Sequence, residues 1–218
     1  SGINMLCTGF FGGLNNGLAG LSETLDAIRA TGITPYGLYP TAESRGRVTT
    51  VAMGDVTVAL LSYQNELSAA GKKKTTQEEQ NFAIAPLKLP EIAADISSAR
   101  AAGAQIVVVS LCWGKEGAAQ PTGTQKEQAQ GIADAGADLI LGTHSGVVQP
   151  LRLLTAKRAD GTTHQTLCAY SLGNLLESDR AQREAISGIL LHIGIQYDLS
   201  ADQVTFTSLS YTPTYVWR

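Results

Sequence analysis

Apolar residues recur along this chain with two different periods, and the first two-thirds alternates between them. Leu18, Leu21, Leu25 and Ile28 are spaced by three and four residues and are followed by Gly32, which predicts an amphipathic helix with a glycine stop. Residues 33–39 then read as a strand. Residues 48–63 read as a hairpin, with V-T-T-V-A-M and V-T-V-A-L-L-S-Y on either side of Gly54-Asp55. Residues 68–81 are polar and lysine-rich and read as a loop. Pro90 opens a second helix that carries Ile92 and Ile96 and ends at Gly103.

The segment 106–150 says most. It begins I-V-V-V-S-L-C-W-G-K-E and ends A-D-L-I-L-G-T-H-S-G-V-V-Q-P, two β-branched runs that each stop abruptly in polar and glycine residues. Between them residues 125–135 are helix-compatible and halt at Gly136. A strand–helix–strand crossover of this kind makes the two strands parallel and right-handed. Sites in parallel sheets form beyond the carboxyl ends of the strands. Those ends carry Cys112, Trp113, Glu116 and His144. After Pro150 the texture is β, with strands at 151–154, 166–170, 186–197 and 204–209 and a short helical stretch near 179–185. Neither a repeat nor a linker divides the chain, so the expectation is one α/β domain over residues 1–218 with a substantial antiparallel component.

Composition narrows the picture. Of 218 residues 44% are hydrophobic and 16% charged, which is a globular composition with enough length for a buried core. A net charge of −3 gives no footprint for nucleic acid. Lys72-Lys73-Lys74 is the only basic run and reads as solvated surface. Cys7, Cys112 and Cys168 are too few and too scattered for a disulfide framework or a zinc knuckle. No run is long enough to span a membrane and no signal peptide is present. The Ser-Gly start fits a trimmed or expressed fragment, in which an export or anchoring signal would be invisible.

Each candidate carries a bland reading beside the chemical one. Cys112 as a thiolate can ligate a metal or attack a substrate; as a small buried hydrophobe it simply ends a strand. Trp113 reads as a cleft wall or core residue. Glu116, in a glycine-flanked loop, can be ligand, base or surface charge, and a site role is the better reading. His144 alone among the three histidines lies beyond a parallel-strand end, and a functional role outweighs the bland one. His164 sits in a turn and reads as solvent-exposed; His192 reads as a satisfied sheet histidine. Ser171-Leu172-Gly173-Asn174 follows a strand, where such side chains often cap their own backbone. Gly54-Asp55 is a hairpin turn.

Taken together, S-L-C-W-G-K-E, G-T-H-S-G-V-V-Q-P and Y-S-L-G-N-L resemble the CapA, or poly-γ-glutamate capsule biosynthesis, family. That family shows S-L-H-W-G-x-E, then A-G-A-D-L-I-I-G-H-H-P-H-V-x-Q-P, then Y-S-L-G-N-F, and the order and spacing here match from about residue 17 to the end. The resemblance implies a calcineurin-like metallophosphoesterase-type sandwich, two mixed sheets flanked by helices, incomplete at its N-terminus. It also implies a divalent metal centre. Under it His144 and Cys112 become candidate metal ligands, Glu116, His144 and Cys112 candidate catalytic groups, and Asn174 a cofactor-binding residue facing the cleft. The departures are equally informative. Cys112, Thr143 and Gly146 stand where the family has histidines, and T-G-F-F-G-G-L-N-N-G (residues 8–17) has neither the His nor the Asp of the family's N-N-H-x-x-D-x-G. A complete two-metal centre is therefore not expected, and a weakly held ion or none is. Glu116 and His144 should approach within roughly 10 Å on one concave face, a loose allowance for a site without ligand.

Two functions follow from the resemblance. One is an extracellular or cell-surface binding or assembly protein for an anionic capsule polymer, partnered by that polymer or by a membrane-bound synthase. The other is a divergent metal-dependent phosphoesterase or hydrolase. The missing N-terminal strands would leave Ile3, Met5 and Leu6 as an orphaned strand beside an exposed face, and self-association is expected to cover it.

Overall fold

The structure is a computed structural model that describes residues 2–157, 161–176 and 183–217, the side chains of Arg183 and Glu184 excepted. Its centre is a six-stranded mixed sheet. Four strands are parallel: β4 (Val56–Gln64), β5 (Ile106–Cys112), β6 (Leu139–Thr143) and β8 (Thr163–Ala169). The antiparallel strands β3 (Thr49–Met53) and β7 (Leu151–Lys157) close its two edges, giving the order β3-β4-β5-β6-β8-β7. The I-V-V-V-S-L-C run is buried at every position because both faces of β5 are covered. The expected parallel crossover is present: α6 (Gly123–Asp134) joins β5 to β6.

One face packs on helices. Val107, Val109 and Leu111 meet Ile92 and Ile96 of α5 (Leu89–Ala101) and Ala129 and Ile132 of α6 in the largest core cluster. Burying each such side chain contributes roughly 1.5–3 kcal/mol. The other face carries Val58, Leu60, Ile106, Val108, Leu139 and Leu167. It is covered by two separate two-stranded pieces: a parallel pair, β1 (Met5–Cys7) with β2 (Thr34–Tyr36), and an antiparallel ribbon, β9 (Ser187–Asp198) with β10 (Gln203–Tyr215). A third cluster anchors α1 (Gly17–Ala30) through Leu21 and Leu25 against Leu14, Leu38 and Leu67.

Several expectations change. Residues 68–81 are not a loop: they hold α3 (Ala69–Lys74) and α4 (Gln77–Ala83). Capping outweighs the polar composition here. Ser68 accepts from Gly71 N–H, and Thr76 and Glu79 form a reciprocal capping box. His164 is not exposed; β8 extends back to Thr163 and buries it. Met5–Cys7 is not orphaned, since it pairs in register with Thr34–Tyr36. A further short helix, α2 (Ala42–Arg45), had no signal in the apolar spacing. The helical stretch near 179–185 lies largely outside the described residues; only the turn Arg183–Ile186 falls within them.

Asp138 ties the amino ends of the central strands to the helix layer. Its Oδ2 accepts from Arg100 Nη2 at 2.6 Å and from the Val107 N–H at 2.7 Å, while Arg100 also donates to the carbonyls of Gln105 and Gly136. Burial raises the Asp138 carboxyl above its ordinary range, with Arg100 and the Val107 amide pulling the other way. A raised folded value means that this group's stabilising contribution is full at acid pH and is lost as the pH climbs through that value. Asp138→Ala is expected to cost about 3 kcal/mol in denaturant unfolding, because it strands a guanidinium and a backbone amide that are largely out of water. Asp138→Asn should retain the Val107 bond and flatten the pH dependence that this carboxyl imposes above the ordinary carboxylate range. An unchanged midpoint in the alanine variant would refute this role.

Candidate functional site

Where the parallel strands end, the chain makes a small polar cavity. It has a volume of about 140 Å³ and is lined by Phe11, Asn65, Glu66, Cys112, Trp113, Gly114 and His144. Asn65 and Glu66 directly follow β4, Cys112 ends β5, and His144 directly follows β6. Three adjacent parallel strands thus deliver side chains to one place, as the topology requires.

The floor is held by an interlock. The Trp113 ring stacks on Tyr170, with centroids 5.6 Å apart and planes 10° from parallel, and its Nε1–H donates to the Tyr170 carbonyl at 3.0 Å. Trp113 follows β5 and Tyr170 follows β8, so the contact bridges over β6, which lies between them. A Cβ at Gly142 would overlap both the Tyr170 carbonyl and the indole nitrogen. Glycine is therefore obligatory in G-T-H, for a packing reason.

His144 is exposed and has a backbone φ of +89°, a conformation that L-residues other than Asn, Asp and His seldom adopt. Its ring lies 5.7 Å from that of Phe11. The loop behind it is braced from two sides. The Gly117 N–H donates to the Ser145 carbonyl at 2.8 Å, and the Ser145 hydroxyl donates to the Val147 carbonyl at 2.8 Å. A strained backbone at the mouth of a cleft, held by its surroundings, is a marker of a binding site.

Cys112 is almost fully buried, with only the edge that meets the cavity left open. Burial pushes its thiol up, while the Phe11 backbone and the Thr143 hydroxyl pull the other way. The group rests as a thiol. Beneath it the same sheet face is polar: Tyr36 and Ser110 share a 2.8 Å hydrogen bond, and Cys7 contacts Ser62 at 3.4 Å.

The other two candidates stand apart from the cavity wall. Glu116 is exposed on the loop after β5, which the Gly117–Ser145 bond ties to the His144 loop. Asn174 donates from Nδ2 to the Ala185 carbonyl at 3.1 Å and lies beside Gly146. Ser171 accepts from Gly173 N–H at 3.2 Å, capping its own turn. Three lining residues had not been singled out: Phe11, Asn65 and Glu66. Asn65 and Glu66 carried a usable signal, for they sit at the carboxyl end of a strand. The hairpin pattern of β3 and β4 gave no hint that β4 also runs parallel to β5. Phe11 belongs to the glycine-rich segment noted only for what it lacks.

A divalent ion needs several convergent donors. Among the described residues no three His, Cys, Asp or Glu side chains are grouped so that they could hold one. Cys112 and His144 reach the cavity without a third such ligand grouped beside them, and Thr143 and Gly146 supply no imidazole. The described donors do not fit such an ion.

The family model described as "Bacterial capsule synthesis protein PGA_cap" matches residues 13–179. Among curated proteins, the chain is 28% identical over 166 residues to "PGA biosynthesis protein CapA" of Bacillus subtilis (strain 168), which covers 75% of the chain and 40% of that protein. It is 25% identical over 160 residues to "Capsule biosynthesis protein CapA" of Bacillus anthracis, covering 73% and 36% respectively. The chain thus corresponds to well under half the length of these relatives. Among solved structures it is similar to the NAD nucleotidase NadN of Haemophilus influenzae, with 13% identity, a TM-score of 0.50 and coverage of 97% of this chain and 39% of that one. It is also similar to a 5'-nucleotidase precursor of Thermus thermophilus, with 12% identity, a TM-score of 0.47 and coverage of 97% and 38%. The first of these likenesses is one of fold alone, and it agrees with the α/β sandwich expected from the sequence.

Two outcomes follow from the geometry. His144→Gly should raise stability by about 1 kcal/mol, since glycine takes a positive φ without the cost of order 1–3 kcal/mol that such strain carries; a loss of stability in denaturant unfolding would show that the conformation is not strained. Cys112 should be alkylated by iodoacetamide at least roughly tenfold more slowly than free cysteine at pH 8, because the thiolate is the reacting form. Its rate should go on rising with pH beyond the ordinary thiol range. A fast reaction at neutral pH would contradict the buried thiol.

Proposed function

The chain belongs to the bacterial capsule synthesis protein family PGA_cap, and from that premise we propose that it serves the biosynthesis of a capsule or cell-envelope polymer of the poly-γ-glutamate type. In this reading it acts at the bacterial surface by binding or assembling the polymer, and its cleft at Cys112 and His144 is the contact point. The supporting observation is one of contrast. The family match runs through all three motif regions, yet the cleft at the strand ends is lined by the Phe11 ring, the Asn65 amide and single ionisable side chains and lacks a set of metal donors among the described residues.

The chemistry of that cleft suits an amide-linked chain. Asn65 offers both donors and an acceptor, which match a peptide-type N–H and C=O, and the imidazole of His144 can serve either role. Phe11 gives a partly exposed apolar ring for the methylene segments of such a polymer, while Trp113 is buried on Tyr170 and supports the cavity from beneath. Glu66 would repel free carboxylates, and the chain's net charge of −3 offers no general attraction to a polyanion. Recognition then runs through the amide backbone of the polymer, with its carboxylates turned to water. A membrane-bound synthase is the partner of choice for delivering such a chain.

The second reading is a divergent metal-dependent phosphoesterase or hydrolase, and it is favoured by the presence of Glu66, Cys112 and His144 in the lining of one cavity, though they are not grouped as a set of metal ligands. It requires an ion to acidify water and neutralise developing charge. Within this chain His144 and Cys112 would be its donors, with Asn174 near the cleft as a further polar group.

Titration of defined poly-γ-glutamate oligomers into the protein, followed by calorimetry, separates the two. We expect saturable binding that is weakened at least tenfold by Phe11→Ala and by Asn65→Ala and is indifferent to chelator. Hydrolysis of a generic aryl phosphate that tracks stoichiometric bound metal, with no polymer binding, would overturn the proposal in favour of the hydrolase.

A further inference from the structure

The β9–β10 ribbon presents an apolar face that its own chain leaves half covered. In an antiparallel pair, directly opposed residues share a face. Leu191, Ile193, Ile195 and Tyr197 of β9 point toward the central sheet, where they line an apolar cavity of about 600 Å³. Their partners across the ladder are Tyr211, Leu209, Phe206 and Val204, which therefore share that face; the register shift between Phe206 and Ser208 preserves it. The alternation continues through Pro213 and Tyr215, opposite Ile189 and Ser187. Along this face the two strands carry no Asp, Glu, Lys or Arg.

Coverage is uneven. Ile193, Ile195, Val204 and Phe206 pack on the sheet, but Leu209, Tyr211 and Tyr215 are 50%, 60% and 60% exposed, and the adjoining Trp217 is 83% exposed. A second apolar cavity of about 340 Å³ lies on the β10 side, between Leu209 and Leu153. The largest apolar patch of a typical monomer reaches roughly 300–600 Å², and these three large aromatic side chains and a leucine span that range by themselves. Doubled across a two-fold axis, a patch of this size falls at the small end of specific interfaces, which suits a weak, concentration-dependent dimer.

We propose that this face is the contact between two copies of the chain, ribbon against ribbon across a two-fold axis. A two-fold contact sets a surface against itself, so a charged face repels and an uncharged apolar one is self-complementary. The ribbon meets that condition. The outer edge of β10 is also unpaired among the described residues, and such an edge can add a strand from the partner. The inference rests on the ribbon alone and is independent of what the cleft binds.

The test is sedimentation velocity and light scattering on the 218-residue chain between about 5 and 200 µM, beside the double variant Tyr211→Glu/Tyr215→Glu and the control Ile28→Glu on α1, an element outside the ribbon. We expect the wild type and the control to move from 22.9 kDa toward twice that mass as concentration rises, and the double variant to be at least tenfold weaker. Hydrogen exchange of the wild type gives a second reading that needs no variant: amides of β9 and β10 should gain protection with concentration while those of β4 do not. A wild type that stays monomeric overturns the proposal, as does a dimer indifferent to the double substitution. A monomer that carries lipid or another apolar molecule in native mass spectrometry overturns it in favour of a ligand in the ribbon's cavity.

Discussion

One close approach governs the functional end of this molecule. The Trp113 indole reaches from the end of β5 over the backbone of β6 to the end of β8, and it can do so only because position 142 has no side chain. The stack on Tyr170 and the bond to its carbonyl fix three strand ends in a buried setting where neither contact competes with water. The adjacent strand ends supply Cys112 and His144. A side chain at Gly142 would have to displace the indole, and with it the wall on which the cavity rests. Geometry at this site is thus set by packing beneath it, and the groups exposed in it are free to differ without disturbing the frame.

That separation explains what could be read from the sequence. The crossover from β5 to β6 was legible because buried parallel strands are continuous apolar runs and the intervening helix has its own period and stop. The rule that sites follow parallel-strand ends then pointed to residues 112 and 144, and the structure brings these two to one cavity. Glu66 was not legible. Its strand pairs antiparallel with β3 and parallel with β5, and only the first relation leaves a local trace, the Gly54-Asp55 turn. Nor were α3 and α4, which composition hides: lysines and glutamines read as loop, while the stabilising features are single capping hydroxyls three residues ahead of the amides that donate to them. His164 was misread because a turn-like A-D-G-T-T stretch runs directly into β8, and strand pairing with β7 extends to Thr163.

The central sheet has two unlike faces. On the helix side its residues form one cluster with α5 and α6, closed by the Asp138–Arg100 bonds at the amino end and by Trp113 at the carboxyl end. On the other side the cover comes in two pieces with an apolar cavity between them, walled by Met5 and Tyr36 from one and by Leu191 to Tyr197 from the other. The polar groups on that face, Ser62, Ser110 and Tyr36, gather near the carboxyl end, where Tyr36 and Ser110 bond each other, so hydrophilic character rises toward the cleft and falls away from it. One sheet therefore separates a polar contact at its end from an apolar contact on its face.

This division bears on the chemistry the cleft can perform. Metal-assisted hydrolysis depends on several rigidly placed donors, and among the described residues no such set is grouped at this cleft. What survives is shape. Gly142, the positive φ of His144 and the Gly117–Ser145 bond are backbone features, indifferent to whether a donor stands at position 112 or 146. A site whose precision lies in its backbone offers hydrogen-bonding groups on a fixed frame, and the proposed polymer contact rests on that frame. The His144 imidazole stands exposed at the mouth of the cleft, on a backbone of positive φ whose loop is braced by the Gly117–Ser145 bond.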